Sequence, residues 1–448
     1  MQDKFVSNQP TSLAPKSAIQ FKWRLFSYLE RLTSGPAAAP NLPPDSTVKP
    51  ALWVFASTIG ELNAIAPFLR QLVDLHGHLQ LVLLTDRRIY RDAFLAQYPL
   101  AEVIEIGTSG APAAQLAAQR PPQLFIVAEI PSLPNDAPCR LPFGYPYQAH
   151  QAGAVVALVN GWLYGYPPSC RMDKIERQLL GASYLQIFDV LCVQTDQVAQ
   201  QLIALGADTQ RVHVTGNIKF DALQTSVRRW QDTSSPTILR SLEASDRPIV
   251  VAGCVTDDDE RELVMDAFEG LRKQQPNALL VLAPRHPENQ AVMRALHTNL
   301  EARQLSYRCR SNDSDAAIAD DLAVLVLDTM GELRDFYARA TVAHVGRDHN
   351  VLEPLAFGKP VTVRPNWDKT FPSYPVFSMA DRDGLLSVQQ SSTGLQDEWL
   401  SQTQADQRRA SKAVNALQQL AGASARSLAC LKRLKRLDRL EAIQGGPL

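Results

Sequence analysis

The stretch ALWVFASTIGELNAIAPFLRQL, residues 51–72, changes texture midway. Its first part, ALWVFAS, is an unbroken apolar run of the length expected for a strand buried on both faces. A turn follows at Ser57-Thr58, and beyond it the apolar residues recur at helical spacing. A strand feeding straight into an amphipathic helix is half of a βαβ unit, and the same texture returns along the chain. LQLVLLT (79–85), AEVIEI (101–106), PQLFIVA (122–128), AVVALVN (154–160), FDVLCVQT (188–195) and RVHVTGN (211–217) read as further strands. Helix-like stretches separate most of them, which predicts a buried parallel sheet.

Residues 222–247 are polar, with TSSP at 233–236, and suit a connection between domains. A second alternating series then begins at RPIVVAG (247–253). It runs through ALLVLAPRH (278–286), AVLVLD (323–328), ATVAHVG (340–346) and KPVTVRP (359–365). The fold class is therefore α/β, with two Rossmann-like domains at 51–225 and 240–405 facing a cleft. Ligands in such sheets lie beyond the carboxyl ends of the strands. Residues 1–50 read as an amphipathic segment followed by a Pro-rich linker, and 406–448 as C-terminal helices. Within the first, SAIQFKWRLFSYLERL (17–32) mixes large apolar side chains with Lys22, Arg24 and Arg31. It fits a helix docked on the protein or a foot on an anionic membrane surface. In RSLACLKRLKRLDRL (426–440) leucines recur at every third position and so wrap around a helix.

Composition narrows the function. The 448 residues carry 45 Lys and Arg against 46 Asp and Glu, a net charge of -1, which excludes a globally basic nucleic-acid binder. Six scattered cysteines form no C-x-x-C pair and read as small hydrophobes in a reducing compartment. No residue set has metal-ligand spacing. No apolar run reaches the ~18 residues of a membrane span, and no secretory h-region follows the N-terminus. A cytoplasmic protein is expected.

Four segments carry candidate chemistry. In STIGEL, Glu61 opens a helix beside Gly60, which permits close backbone approach; it can serve as a proton acceptor or simply complement the helix dipole. In LAPRHPEN, Arg285 and His286 follow a strand and suit a phosphate or carboxylate, or else form a solvated loop. In LDTMGEL, the segment Thr329-Met330-Gly331-Glu332 opens a helix whose N–H groups could cradle an anion, unless Asp328 or Thr329 merely caps it. In VGRDHNVLEP, Asn350 and Glu353 share a face if helical, and a Glu there could accept both hydroxyls of a ribose.

Taken in order, these segments resemble the family of 3-deoxy-D-manno-octulosonic acid (Kdo) transferases, GT-B glycosyltransferases that use CMP-Kdo and act on lipid A precursors. The resemblance runs from about residue 21 to 420. WVFASTIGEL is similar to the family segment whose Glu is the catalytic base, which implies that role for Glu61, with Ser57 and Gly60 beside it. VTGNIKFD (214–221) resembles G-N-x-K-x-D and adds Asn217 and Lys219. Around the CMP the resemblance places Arg285, His286, Met330, Gly331, Glu332, Leu333, Asn350 and Glu353. It implies no cofactor beyond the CMP-sugar donor, no metal, and peripheral contact with the inner face of the plasma membrane.

The chain also departs from the family pattern. E-T-E-L-W-P-N becomes EIPSLPN (129–135), N-x-R-L-S becomes NGWLY with Trp162 in place of Arg, and A-G-S-T-H becomes AGCVT with Cys254. A G-G-S loop is shortened to GRD (346–348). The expected function is an inverting transfer of Kdo or a related sugar acid to a lipid A precursor-like acceptor. A CMP-sugar transferase with another sugar or acceptor, or a non-catalytic nucleotide-binding relative, is the alternative.

Overall fold

The computed structural model describes residues 16–33, 49–107, 109–129, 140–163, 167–168, 170–223, 233–312, 315–369, 371, 373–403 and 408–434. Pro131, Leu133, Tyr164, most of the Pro-rich linker and the leucines at 437 and 440 lie outside them. The described residues up to Ala222, joined by those from Leu420 onward, form one compact unit; Leu223–Gln419 forms the other.

The first unit is built on seven strands: β1 (Ala51–Phe55), β2 (Gln80–Thr85), β3 (Glu102–Glu105), β4 (Pro122–Ala128), β5 (Val155–Gly161), β6 (Val190–Val193) and β7 (Val212–Val214). They pair in parallel in the order 3-2-1-4-5-6-7. Every residue of β1 and β5 is buried, which explains why these strands read as continuous apolar runs. The chain steps outward from β1 to β3 and returns at β4, so the sheet reverses between β1 and β4. Crevices for ligands open at such reversals, beyond the carboxyl ends.

The second unit repeats the plan with β8 (Ile249–Val255), β9 (Leu279–Pro284), β10 (Tyr307–Cys309), β11 (Val324–Val326), β12 (Val342–Val345), β13 (Val361–Val363) and β14 (Leu386–Val388). Their order is 10-11-9-8-12-13-14, again all parallel, with the reversal between β8 and β12. Both units are Rossmann-like. The approach at this second reversal is close: a Cβ on Gly346 would fall 1.9 Å from the Cys254 carbonyl oxygen.

The flanking segments divide between the units. Helix Lys16–Thr33 docks on the first through Trp23 and Phe26, with Trp23 5.7 Å from both Phe143 and Tyr147. Its opposite face leaves Phe21, Leu25, Tyr28 and Leu32 exposed. Helix Arg408–Leu420 falls mostly within the second unit, whereas helix Ala423–Lys432 returns to the first and packs on helix Ile59–Leu75. Asp221 fixes that return by accepting from the backbone N–H groups of Gly422 and Ser424. The last acid of the G-N-x-K-x-D segment is thus a helix cap.

Candidate functional site

In the first unit the site grows from the end of β1. Thr58 caps helix Ile59–Leu75, its hydroxyl accepting from Glu61 N at 3.3 Å. That cap turns the Glu61 side chain back, and its Oε2 accepts from Ser57 N at 2.6 Å. The loops after β2, β4 and β5 close around it. Ser57 Oγ donates to Asp86 Oδ1 at 2.5 Å, and Asp86 Oδ2 accepts from Arg140 N at 2.7 Å. Glu129 follows β4 and lies 2.6 Å from Lys219 Nζ. Asn160 accepts from Ile218 N at 2.8 Å and donates to Glu129 Oε1 at 3.4 Å. Glu129 and Asn160 both sit in the left-handed region, at φ 55 and 56, a conformation costly for a side-chain-bearing residue and typical of sites where geometry matters.

Glu61 is 6% exposed, and burial pushes its carboxyl up to about 8. The charge of Glu129 adds to the rise, the Ser57 N–H opposes it, and Asp86 raises it further. A carboxyl poised near neutrality is what proton abstraction from a hydroxyl requires. Glu260 makes the comparison sharp. It occupies the same position after β8: Asp257 caps its helix, and Glu260 Oε2 accepts from Thr256 N at 2.9 Å. Burial raises Glu260 too. There, however, His344 Nε2 lies 3.5 Å away, and this partner with the Thr256 and Arg347 N–H groups brings the carboxyl below its usual range. The same local design therefore gives a carboxyl held below its usual range in one unit and one pushed up to about 8 in the other.

The other residues expected here fall as follows. Gly60 is not demanded by the backbone, since a Cβ there would meet nothing nearer than Thr58 Oγ1 at 3.6 Å. Asn217 caps the turn Ile218–Phe220 by accepting from Lys219 N at 2.9 Å, which aims Lys219 at Glu129. Trp162 is half-buried against the first core, and its backbone N–H donates to Glu129 O.

In the second unit the donor candidates come from the ends of β9, β11 and β12. Arg285 N donates to Val255 O at 3.0 Å, bringing the β9 loop against β8. His286 is exposed and faces Glu288 at 3.0 Å. Met330 is exposed and Gly331 turns the chain at φ 88 before the short helix Leu333–Tyr337. Neither Asp328 nor Thr329 caps that helix. Asp328 binds Ser311, and Thr329 donates to Glu332. Glu332 also accepts from Ser234 and Ser235 and faces Arg310 at 3.2 Å. Burial raises its carboxyl, but these bonds outweigh that and hold it below the usual range. It ties the loop to the start of its own unit. Asn350 precedes helix Leu352–Ala356 and accepts from Leu352 N at 3.1 Å, so it shares no helical face with Glu353. Burial pushes Cys254 up to about 11, with Glu353 adding and Arg285 opposing, which places all three in one neighbourhood.

Sequence reading passed over Asp86 and Glu260 altogether, and Asn160 appeared only as the first letter of the altered NGWLY segment. Glu129 appeared only as the first letter of an altered motif. Among the described residues no three His, Cys, Asp or Glu converge as a metal site.

Comparison with known proteins bears on both units. The family model for 3-deoxy-D-manno-octulosonic-acid transferase (kdotransferase) matches residues 140–222, the segment that supplies Arg140, Asn160 and Lys219. The 3-deoxy-D-manno-octulosonic acid transferase of Haemophilus influenzae is 28% identical over 361 residues, 77% of each chain. That of Chlamydophila psittaci is 28% identical over 226 residues, 49% of this chain and 48% of its own. Among solved structures, UDP-GlcNAc 2-epimerase from Neisseria meningitidis superposes with a TM-score of 0.56 at 16% identity. It covers 87% of this chain and 99% of its own, a likeness of fold. With the motifs in order, a family-model match over residues 140–222 and one relative matched across 77% of its length, the chain is similar in sequence to the 3-deoxy-D-manno-octulosonic acid transferases.

Proposed function

We propose that the protein transfers Kdo, or a related sugar acid, from a CMP-activated donor to a lipid A precursor-like acceptor, inverting the anomeric centre. The observation that carries this reading is the buried Glu61 carboxyl at the β1/β4 reversal, anchored by Ser57 N and raised to about 8. The acceptor hydroxyl attacks the anomeric carbon as its proton passes to ionised Glu61, and the bond to CMP breaks. Charge growing on the departing phosphate is met by Arg285, with Asn350 and Glu353 holding the nucleoside. Release of CMP from CMP-Kdo that depends on a lipid A precursor tests the reaction. Binding of CMP with no turnover would favour the non-catalytic relative.

Two outcomes check the outlying parts of this reading. Arg285→Ala and Glu353→Ala should each weaken CMP binding by ~1–3 kcal/mol in titration calorimetry, the range for a lost charged hydrogen bond. Unchanged affinity in both would put the nucleotide elsewhere. The membrane contact is assigned to helix Lys16–Thr33, whose exposed Phe21, Leu25, Tyr28 and Leu32 follow one stripe beside exposed Arg24 and Arg31. No helix among the described residues is long and apolar enough to cross a membrane. The double change Phe21→Glu and Leu32→Glu should cut co-sedimentation with anionic vesicles by about tenfold or more, since each side chain contributes about 1.5–3 kcal/mol on burial. Retained binding would sink the assignment.

A further inference from the structure

Two guanidinium groups converge on one carboxylate near the reversal of the second sheet. Arg347, in the loop after β12, sets Nη2 2.8 Å from Asp257 Oδ2, and Arg364, directly after β13, sets Nη1 3.4 Å from Asp257 Oδ1. Two guanidinium groups thus share the single Asp257 carboxylate. Asp257 is engaged further, because its Oδ1 also accepts from Glu260 N at 2.8 Å. A guanidinium carries five N–H donors, so most of the donor capacity of this pair has no protein partner among the described residues. Both side chains keep access to solvent, at 32% and 22% exposure.

The backbones that carry them are held. Arg347 N donates to Glu260 Oε1 at 3.2 Å, and Arg347 O accepts from Thr256 Oγ1 at 3.3 Å. Arg364 O accepts from Trp367 Nε1 at 2.9 Å, and Trp367 stacks on Phe377 with ring centroids 4.4 Å apart. Planar donors on fixed backbone are suited to the paired oxygens of a carboxylate or phosphate. The position matters as well. Arg347 belongs to the shortened Gly346-Arg347-Asp348 loop, and it bonds to the Cys254-Val255-Thr256 segment, where small polar side chains are replaced.

We propose that Arg347 and Arg364, braced on Asp257, form an oxyanion subsite for the donor, taking the carboxylate of the sugar acid or sharing the phosphate of the nucleotide with Arg285. The inference rests on the transferase reading above. Arg347→Gln and Arg364→Gln, in the full chain and with unchanged Tm, are to be titrated with cytidine, CMP and CMP-Kdo. At least a tenfold loss of affinity for CMP-Kdo with CMP unaffected assigns the pair to the sugar carboxylate. A matching loss for CMP assigns it to the phosphate. Cytidine, which carries no oxyanion, should bind both variants like wild type. Unchanged affinity for all three ligands overturns the subsite, and so does an equal loss for cytidine, which would mark a purely structural role. Wild-type protein that binds none of the three overturns the transferase reading and the subsite with it, whereas the two preceding outcomes sink the subsite alone.

Discussion

Glu61→Gln should lower turnover of CMP-Kdo by ~100-fold or more while leaving CMP affinity nearly unchanged. The amide keeps the shape of the carboxyl and can still accept from Ser57 N, so the turn at the end of β1 has no reason to move. What disappears is the ability to take a proton. Along the chain no other acid lies closer than Asp74. In space Glu129 and Asp86 approach, but both are committed, Glu129 to Lys219 and Asp86 to Ser57 and Arg140. A variant that turned over at the wild-type rate would remove Glu61 from the chemistry.

The raised carboxyl adds a pH signature. With burial holding Glu61 near 8, only about a tenth of the enzyme carries the ionised base at pH 7. The value of kcat/KM should therefore climb with pH and level off above about 8. Stability runs the other way. The group binds its proton more tightly folded than unfolded, so its contribution is present below the ordinary 4.5 and is lost as pH rises through about 8. Glu61→Gln has no such charge to bury, and its Tm should fall less than that of wild type between pH 5 and 9. Parallel Tm curves would show that Glu61 is ionised in the fold at neutral pH. The base assignment would survive that result, but the rising limb would not.

How far these features were legible in the sequence differs by element. The central strands could be read because both faces are buried: β1 is apolar throughout, and β4 and β5 carry a polar residue only near one end, Gln123 and Asn160. The edge strands β10 and β14 could not. Each has three residues, partly exposed, and Arg308 or Ser387 interrupts the apolar run. Glu61 was visible because strand, turn and helix are contiguous. Its neighbours were not, since Asp86, Glu129 and Asn160 end three other strands and meet Glu61 only through the order 2-1-4-5. Nor could spacing have separated Glu61 from Glu260, two acids in equivalent turns. The difference is His344, which reaches Glu260 from β12, 84 positions further along.

The other large effect expected is on stability, at Arg140. Its guanidinium bonds Asp173 and lies 3.1 Å from Glu176, two carboxylates on helix Arg171–Ile187 that are 2% and 1% exposed. Replacing a buried ion pair as a whole can be neutral, but removing one member leaves uncompensated charge away from water. Arg140→Leu should therefore cost ~3–5 kcal/mol in urea unfolding at pH 7. Restoring balance should recover most of the loss. Asn at 173 and Gln at 176 carry no charge, and Gln can still accept from Phe143 N as Glu176 Oε1 does at 3.2 Å. The triple variant should thus be more stable than Arg140→Leu alone, which separates the loss of the Arg140 counter-charge from the missing side chain. The same arginine supplies the N–H that holds Asp86, which in turn holds Ser57 and the Glu61 turn. Partial loss of turnover should accompany the loss of stability. If Arg140→Leu cost under 1 kcal/mol, water must reach Asp173 and Glu176, and the triad would not brace the Glu61 turn.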